Sequence, residues 1–307
     1  MNFFLRCFTY LTNRIAKRSW DYFLKEQILT EVTRMELQKQ AVSCKNQGVT
    51  TDKIAEDEVI VSLTTHGYRI YEACLAIESI MQGTVLPNRI ILWLDENIKN
   101  APIPQSLKNQ QKRGLEICYT RDIKAYTKFL PAVKANPEAV IVTIDDDIFY
   151  PVDTLELLLR AHAEHPKSIC AHYVKQIVKK GNEIESYYRL PVVSHTDAKH
   201  KYFLEGFAGT LYPAHCFSQE LFNEDVFMKL TPYADGVWYN VLALKENITI
   251  FYPNYHYKNI PIHDNLEGYD IALKRINCNP RGKCMNNVQL ANTLKHYNLY
   301  DALIESL

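Results

Sequence analysis

The sequence lacks most of the features that assign a chain quickly. It has no surplus of charge, since 35 Lys and Arg stand against 35 Asp and Glu. A general nucleic-acid binder carries a basic excess, so that class is set aside. No apolar run reaches the roughly 18 residues of a membrane-spanning helix. The eight cysteines contain no C-x-x-C pair. Cys278 and Cys284 are nearest to each other and have no second pair to complete a zinc site. Cys74, Cys118 and Cys170 fall in apolar surroundings, where cysteine packs as a small hydrophobe. This usage predicts a reducing, cytoplasmic compartment and no structural disulfides. Neither G-x-G-x-x-G nor G-x-x-x-x-G-K-[ST] occurs, so a dinucleotide fold and a P-loop are unsupported. No internal repeat or low-complexity tract is visible. The 307 residues suffice for one large domain or two small ones.

Residues 1–55 differ from the rest. Met1 to Trp20 carries Arg6, Arg14, Lys17 and Arg18 and no acidic residue, with Phe4, Phe8, Leu11 and Ile15 at helical spacing. Such a basic amphipathic helix suits an anionic membrane surface, or packing on the body or on another subunit. Arg6 interrupts the apolar part and no small-residue cleavage site follows, which argues against a signal peptide. Asp21 to Gln40 continues as a mixed-charge helix, and Val49 to Glu58 reads as a polar linker. The division is a helical extension over 1–55 and a folded domain over 56–307.

The folded part opens with Val59-Ile60-Val61-Ser62-Leu63, a strand, followed by the polar loop Thr64 to Arg69. Ala73, Ile77, Ile80 and Met81 share a helical face that ends at Gly83. Arg89 to Leu94 is a second strand, stopped by Asp95-Glu96. This is a βαβ unit with parallel strands. Leu115 to Tyr119 is a third strand, Lys124 to Asn136 is partly helical, and Ala139-Val140-Ile141-Val142 is a fourth, fully buried strand. Residues 56–150 thus read as a nucleotide-type α/β half. In 151–307 the pattern is mixed. Ser168–Val178 and Glu183–Tyr188 suggest a hairpin, Gly206 to Pro213 a glycine-containing turn into a strand, 237–244 a helix, 248–252 a strand, and 288–304 a closing helix.

Thr143-Ile144-Asp145-Asp146-Asp147 follows the fourth strand. Asp153 then reads as the N-cap of a helix, with Glu156 three residues on. Open α/β sheets bind ligands at the carboxyl ends of their strands. Three adjacent carboxylates repel one another, and a divalent cation relieves that repulsion. Oxygen ligands suit Mg2+ or Mn2+. A solvated acidic turn is the alternative.

Together these blocks resemble a glycosyltransferase of the GT-A fold, similar to bacterial family-2-like enzymes of surface-polysaccharide synthesis. The resemblance covers roughly residues 58–300. It rests on Val61 to Thr65 with Arg69, Asn88 to Leu94, Gln111 to Leu115, Thr143 to Asp147 with Tyr150-Pro151, Gly209 to Pro213, and Pro232 to Trp238. It implies a Rossmann-like mixed sheet flanked by helices. It implies a donor that is a nucleotide diphosphate sugar, UDP-linked by expectation, and an acceptor that is a glycan or lipid-linked hydroxyl. Thr64, Thr65 and Arg69 would lie beside the nucleotide. Asp95 would hold base or ribose, and Arg113 and Lys128 the diphosphate. Asp145 and Asp147 match the outer positions of a D-x-D, where Asp147 would bind Mn2+ or Mg2+ directly and Asp145 would reach the ribose or the metal, with Asp146 between them assisting the nucleotide. Asp235 matches the catalytic base of inverting members, although relatives often show two acidic residues where this chain has Asp235-Gly236. The competing reading is an ordinary helix cap. Of His256 and His263, the latter is the candidate late metal ligand. A lipid-linked acceptor implies a peripheral position on the inner face of a membrane, and the N-terminal helices offer a homo-oligomer contact.

Two other classes compete. An aspartyl phosphohydrolase would carry Thr or Val two residues beyond Asp147, where this chain has Phe149. A non-catalytic glycan-binding protein would have no need of an intact acidic triplet.

Overall fold

The computed structural model describes residues 24–25, 27–253, 277 and 284–307. The basic stretch Met1 to Trp20, His256 and the candidate metal ligand His263 lie outside the described residues. A helix over residues 27–43, α1, comes first. Strands and helices then alternate: β1 (Val59–Thr64), α2 (Ala73–Met81), β2 (Arg89–Asp95), α3 (Gln105–Gln111), β3 (Leu115–Thr120), α4 (Leu130–Ala135) and β4 (Val140–Thr143). The second half contains α5 (Thr154–Glu164), β5 (Ile169–Ala171), β6 (Val174–Gln176), β7 (Lys179–Lys180), β8 (Glu183–Ile184), β9 (Asp197–Lys199), β10 (Tyr202–Leu204), β11 (Thr210–Tyr212), α6 (Glu224–Leu230), α7 (Asp235–Lys245), β12 (Ile250–Tyr252), α8 (Met285–His296) and α9 (Tyr300–Ser306).

Eight strands form one mixed sheet in the order β3-β2-β1-β4-β11-β5-β12-β9. The first four are parallel to one another, while β11 runs antiparallel to both β4 and β5. Alternation along β1 explains why its run is apolar throughout. Val59, Val61 and Leu63 enter a core with α2, α3 and α5, and Ile60 enters a second core with α4, α6 and α7. Helices therefore cover both faces, and each buried aliphatic side chain contributes about 1.5–3 kcal/mol.

Several local expectations are modified. Asp153 makes no side-chain cap, and the Thr154 N–H and hydroxyl both turn to the Pro151 carbonyl. Glu156 instead accepts from the Thr84 hydroxyl at 2.6 Å. The hairpin shrinks to β7 and β8, since β6 pairs with β10. The closing helix divides into α8 and α9 at Asn298, whose φ of 56° is left-handed. Leu299 N–H reaches back to the Leu294 carbonyl and Asn298 N–H to that of Lys295, a Schellman ending.

Helix α1 lies on the body through Leu37 and Ala41, while Ile28, Leu29, Val32 and Met35 point outward. The stretch read as a linker is tied down, with Thr50 N–H on the Pro87 carbonyl and the Asn88 side chain on the carbonyls of Thr50 and Asp52. The six described cysteines are free thiols. Among the described residues no helix is long and apolar enough to cross a membrane.

Candidate functional site

The sheet order reverses between β1 and β4. β1 leads through α2 to β2 on one side, and β4 lies on the other, so the loops leaving these two strands part over a crevice. This is the switch point at which open α/β sheets take ligands. Ser62 is in register with Thr143, which brings Thr65 and Arg69 from one loop level with Asp145–Asp147 from the other. β11 is antiparallel, with Thr210 beside Thr143, so residues 206–209 enter at the same end. The start of α7 lies on the two residues that precede that segment. A Cβ on Gly236 would stand 3.7 Å from the carbonyl oxygens of Leu204 and Glu205. Four segments, distant in sequence, thereby meet at one sheet end.

The acidic triplet meets two cations. One Arg69 nitrogen pairs with Asp146 and lies 2.8 Å from Asp147. The Thr65 hydroxyl donates to Asp146 at 2.6 Å. Lys128 Nζ donates to Asp145 at 2.7 Å, approaches the Gly206 carbonyl at 3.5 Å, and lies 3.9 Å from Asp235. Lys128 is held from behind, because the Ser62 hydroxyl donates to its carbonyl at 2.6 Å and Trp93 Nε1 donates to Ser62 at 3.0 Å. Tyr150 contributes its hydroxyl oxygen to the Asp145 N–H at 2.8 Å. Two positive side chains thus face four carboxylates, and the carboxylates differ in access. The Asp147 side chain is 43% exposed, against 8% for Asp146 and 17% for Asp235.

Burial dominates the proton affinities here. It pushes Asp146 up to about 7, against the pull of Arg69. Burial also raises Asp147, with Asp145 adding to the rise, and raises Asp235 against the pull of Lys128. Lys128 and Arg69 are raised because the neighbouring carboxylates outweigh their desolvation.

These shifts give a stability prediction. The folded state holds the Asp146 proton more tightly than the unfolded chain does. The associated stability is full below about pH 4 and is lost as pH rises through about 7. Asp146→Asn carries no charge at any pH and escapes that loss. In chelator, its melting temperature should rise relative to wild type between about pH 4 and pH 7, at roughly 1.4 kcal/mol per pH decade at most, and the difference should level off above that. A difference that is flat with pH would contradict the burial argument.

The remaining expected residues fall as follows. Thr64 spends its hydroxyl on the Trp93 carbonyl at 2.9 Å. Asp95 stands at the end of β2 and caps the turn after it, accepting from the N–H and the side chain of Asn97 at 2.9 Å each. Arg113 requires correction. It is buried at the opposite end of the sheet, just before β3, where Nη1 meets both Glu78 oxygens at 2.8 and 2.9 Å and Nε meets the Asn46 carbonyl at 2.7 Å. Gln110 also donates to Glu78, at 2.8 Å. A buried Glu in α2 fixes this Arg as a structural partner that cannot reach the crevice. Asp235 is the first residue of α7, and Ala234 is the N-cap. The sequence reading missed Tyr150, Ser62 and Gly206, of which Tyr150 had a signal in the Tyr-Pro pair after the triplet.

Among the described residues, no three His, Cys, Asp or Glu side chains converge as a metal cage. The repulsion expected to call for a metal is relieved largely by Arg69 and Lys128. The donor chemistry still fits Mg2+ or Mn2+. Such ions take one or two carboxylates and complete their shell with substrate phosphates and water, and Asp147 offers an accessible carboxylate beside Asp145. Two cavities elsewhere in the described residues do not include these side chains. One of about 590 Å³ lies between β8 and α8, and one of about 360 Å³ lies between the ends of β2 and β3 and α6.

No family model matches the chain, and no curated protein matches it. Many solved structures are similar at a low level, including these two. A mannosyltransferase from Pyrobaculum calidifontis, in complex with GDP-Man and Mn2+, is 12% identical over 92% of this chain and 82% of its own, with a TM-score of 0.41. A CMP:2-keto-3-deoxy-manno-octonic acid synthetase complexed with CTP is 14% identical over 64% of this chain and 88% of its own, with a TM-score of 0.38. At these scores neither carries an argument about function.

Proposed function

We propose that the protein transfers a sugar from a nucleotide diphosphate sugar to a hydroxyl of a glycan or lipid-linked acceptor, with inversion. One observation carries the reading. Lys128 lies between Asp145, just beyond the end of β4, and Asp235, at 2.7 and 3.9 Å. An accessible acidic cluster and a separate buried carboxylate thus share one crevice at a switch point. In this reading Asp147, with Asp145, would hold Mn2+ or Mg2+, which when bound neutralises charge on the departing diphosphate. Arg69 and Lys128 attract the diphosphate oxygens, and Thr65 keeps Asp146 oriented toward Arg69. Asp95 receives base or ribose. Asp235 accepts the acceptor proton, and its raised proton affinity makes it a better base than an exposed Asp. Attack from the face opposite the diphosphate inverts the anomeric centre. An aspartyl phosphohydrolase is less well supported, because the position two beyond Asp147 is the core residue Phe149. Calorimetric titration with nucleoside diphosphates in Mn2+, UDP first, tests the donor. Binding that is unaffected by metal, or absent for every nucleotide, would overturn the reading.

The N-terminal segment offers a place for the acceptor. Four basic residues without an acid in Met1 to Trp20, followed by the outward apolar face of α1, suit an anionic lipid surface. Replacing Arg6, Arg14, Lys17 and Arg18 with Glu should abolish binding to anionic phospholipid vesicles, since each basic residue contributes about 1 kcal/mol near such a surface. Unchanged vesicle binding would refute this. A wild-type chain that ignores vesicles and sediments as a dimer would assign the face to a second subunit.

A further inference from the structure

The acidic triplet stands between two buried runs. Ile144 before it, and Ile148, Phe149 and Tyr150 after it, are all core residues. The chain turns at Asp146 and Asp147. The spacing of the Asp145 and Asp147 carboxylates is therefore set by the backbone of this turn and not by strand pairing. Ile144 N–H still reaches the Ser62 carbonyl of β1, at 3.1 Å. The next N–H, that of Asp145, leaves the ladder and needs a partner of another kind. It donates to the Tyr150 hydroxyl oxygen at 2.8 Å.

Tyr150 is itself anchored. Its N–H donates to the Ser79 hydroxyl oxygen at 3.0 Å, and that hydroxyl donates to the Ala76 carbonyl at 2.7 Å. Ser79 and Ala76 belong to α2, all nine residues of which are buried. Pro151 adds a constraint, since a proline disfavours helical backbone at the residue before it, and α5 starts only at Thr154. The buried Tyr150 ring is thus turned back across the triplet. Its links run from the interior of α2 to the backbone of Asp145. Helix α2 also follows closely on the 3-10 turn Gly67–Tyr71 that carries Arg69, so both walls of the crevice take their position from one helix. A rigid element of this kind is what a precise site needs behind it.

We infer that Tyr150 is a positioning residue for the divalent cation: its hydroxyl fixes the Asp145 backbone, and with it the spacing at which Asp145 and Asp147 meet one ion. The inference rests on the proposed metal site and adds to it a residue that does not touch the ion. The two carboxylates are held unequally. Asp145 is drawn to Lys128 at 2.7 Å, whereas Asp147 is 43% exposed. Without the hydroxyl, the Asp145 backbone is free to follow its side chain toward Lys128, and the pair loses its fixed spacing. The Tyr150 ring serves the core, where phenylalanine would fill the same volume. The oxygen serves the loop.

Tyr150→Phe removes one oxygen atom and keeps the ring. With UDP or GDP present, its Mn2+ affinity, read from the EPR signal of free Mn2+, should be about tenfold weaker than that of wild type. Calorimetric nucleotide affinity should fall by a similar factor in Mn2+ and stay within about twofold in chelator. Phe149→Leu loosens the packing of the same segment but leaves the hydroxyl in place, and its Mn2+ affinity should match wild type. A melting temperature lowered in both variants, with Mn2+ affinity lost only in Tyr150→Phe, supports the inference. Equal Mn2+ affinity in wild type and Tyr150→Phe overturns it. An equal loss in Phe149→Leu also overturns it, as does a nucleotide affinity that falls as far in chelator as in Mn2+, because general loosening of the loop explains either. A wild type that binds nucleotide equally well in Mn2+ and in chelator fails the metal reading instead, and one that binds no nucleotide fails the glycosyl-transfer reading.

Discussion

Asp147→Ala is expected to abolish sugar transfer and to lower nucleotide affinity in Mn2+ roughly a hundredfold, about 2.7 kcal/mol. The argument comes from the division of labour within the triplet. Asp145 is engaged by Lys128, and Asp146 is buried between Thr65 and Arg69. Asp147, 43% exposed, is the carboxylate most open to an incoming ion. Its loss leaves Arg69 paired with Asp146, and it removes a carboxylate whose ionisation burial and Asp145 both disfavour. The fold should therefore survive, and melting in chelator should be unchanged or slightly higher than wild type. The decisive readout is affinity rather than turnover. Wild type in chelator should bind nucleotide as weakly as the variant in Mn2+. Equal wild-type affinity with Mn2+ and with chelator would remove the metal from the mechanism.

The parts of this site that were legible in the sequence are those fixed by strand ends. Buried strands announce themselves as short apolar runs, and β1 and β4 are such runs. Whatever follows them lies at the carboxyl end of the sheet, so pattern placed the triplet there, whereas the site role of Thr65 and Arg69 came from the family resemblance. What pattern cannot show is pairing across the fold. Arg113 precedes a strand and looked free to reach the diphosphate. Its partner Glu78 lies in α2 and is fully buried, a fact that no periodicity reveals. Lys128 sits in a short 3-10 turn rather than in a regular helix, and it is placed by Ser62 and Trp93 from two strands. Gly206 and Gly209 signalled the turn, but Ala208 between them is left-handed without being Gly or Asn, so its residue type gave no warning of its own conformation. The N-cap reading of Asp235 failed by one position, because the helix starts on this residue and not after it.

That shift of one position sharpens the last expected result, which concerns Asp235→Asn. A residue at the first position of a helix, near backbone N–H groups, interacts favourably with the helix dipole by about 0.3–1 kcal/mol when ionised. If that were its whole role, Asn would cost little in rate or melting temperature. If Asp235 is the base, the amide keeps its shape and its oxygen but cannot take a proton, and the rate should fall about 10²–10⁴-fold. Donor affinity should hold, since the accessible carboxylate is Asp147, and Lys128 retains Asp145 at 2.7 Å. The buried carboxyl of Asp235 is raised by desolvation, so an uncharged replacement should not lower stability. The pH profile separates the roles further. The base must be ionised to work, so wild-type transfer should decline toward acid pH through the raised proton affinity of Asp235, and that limb should vanish in the residual activity of the Asn variant. A rate within a few-fold of wild type, with the acid limb intact, would retire Asp235 as the base and leave it a structural residue at the head of α7.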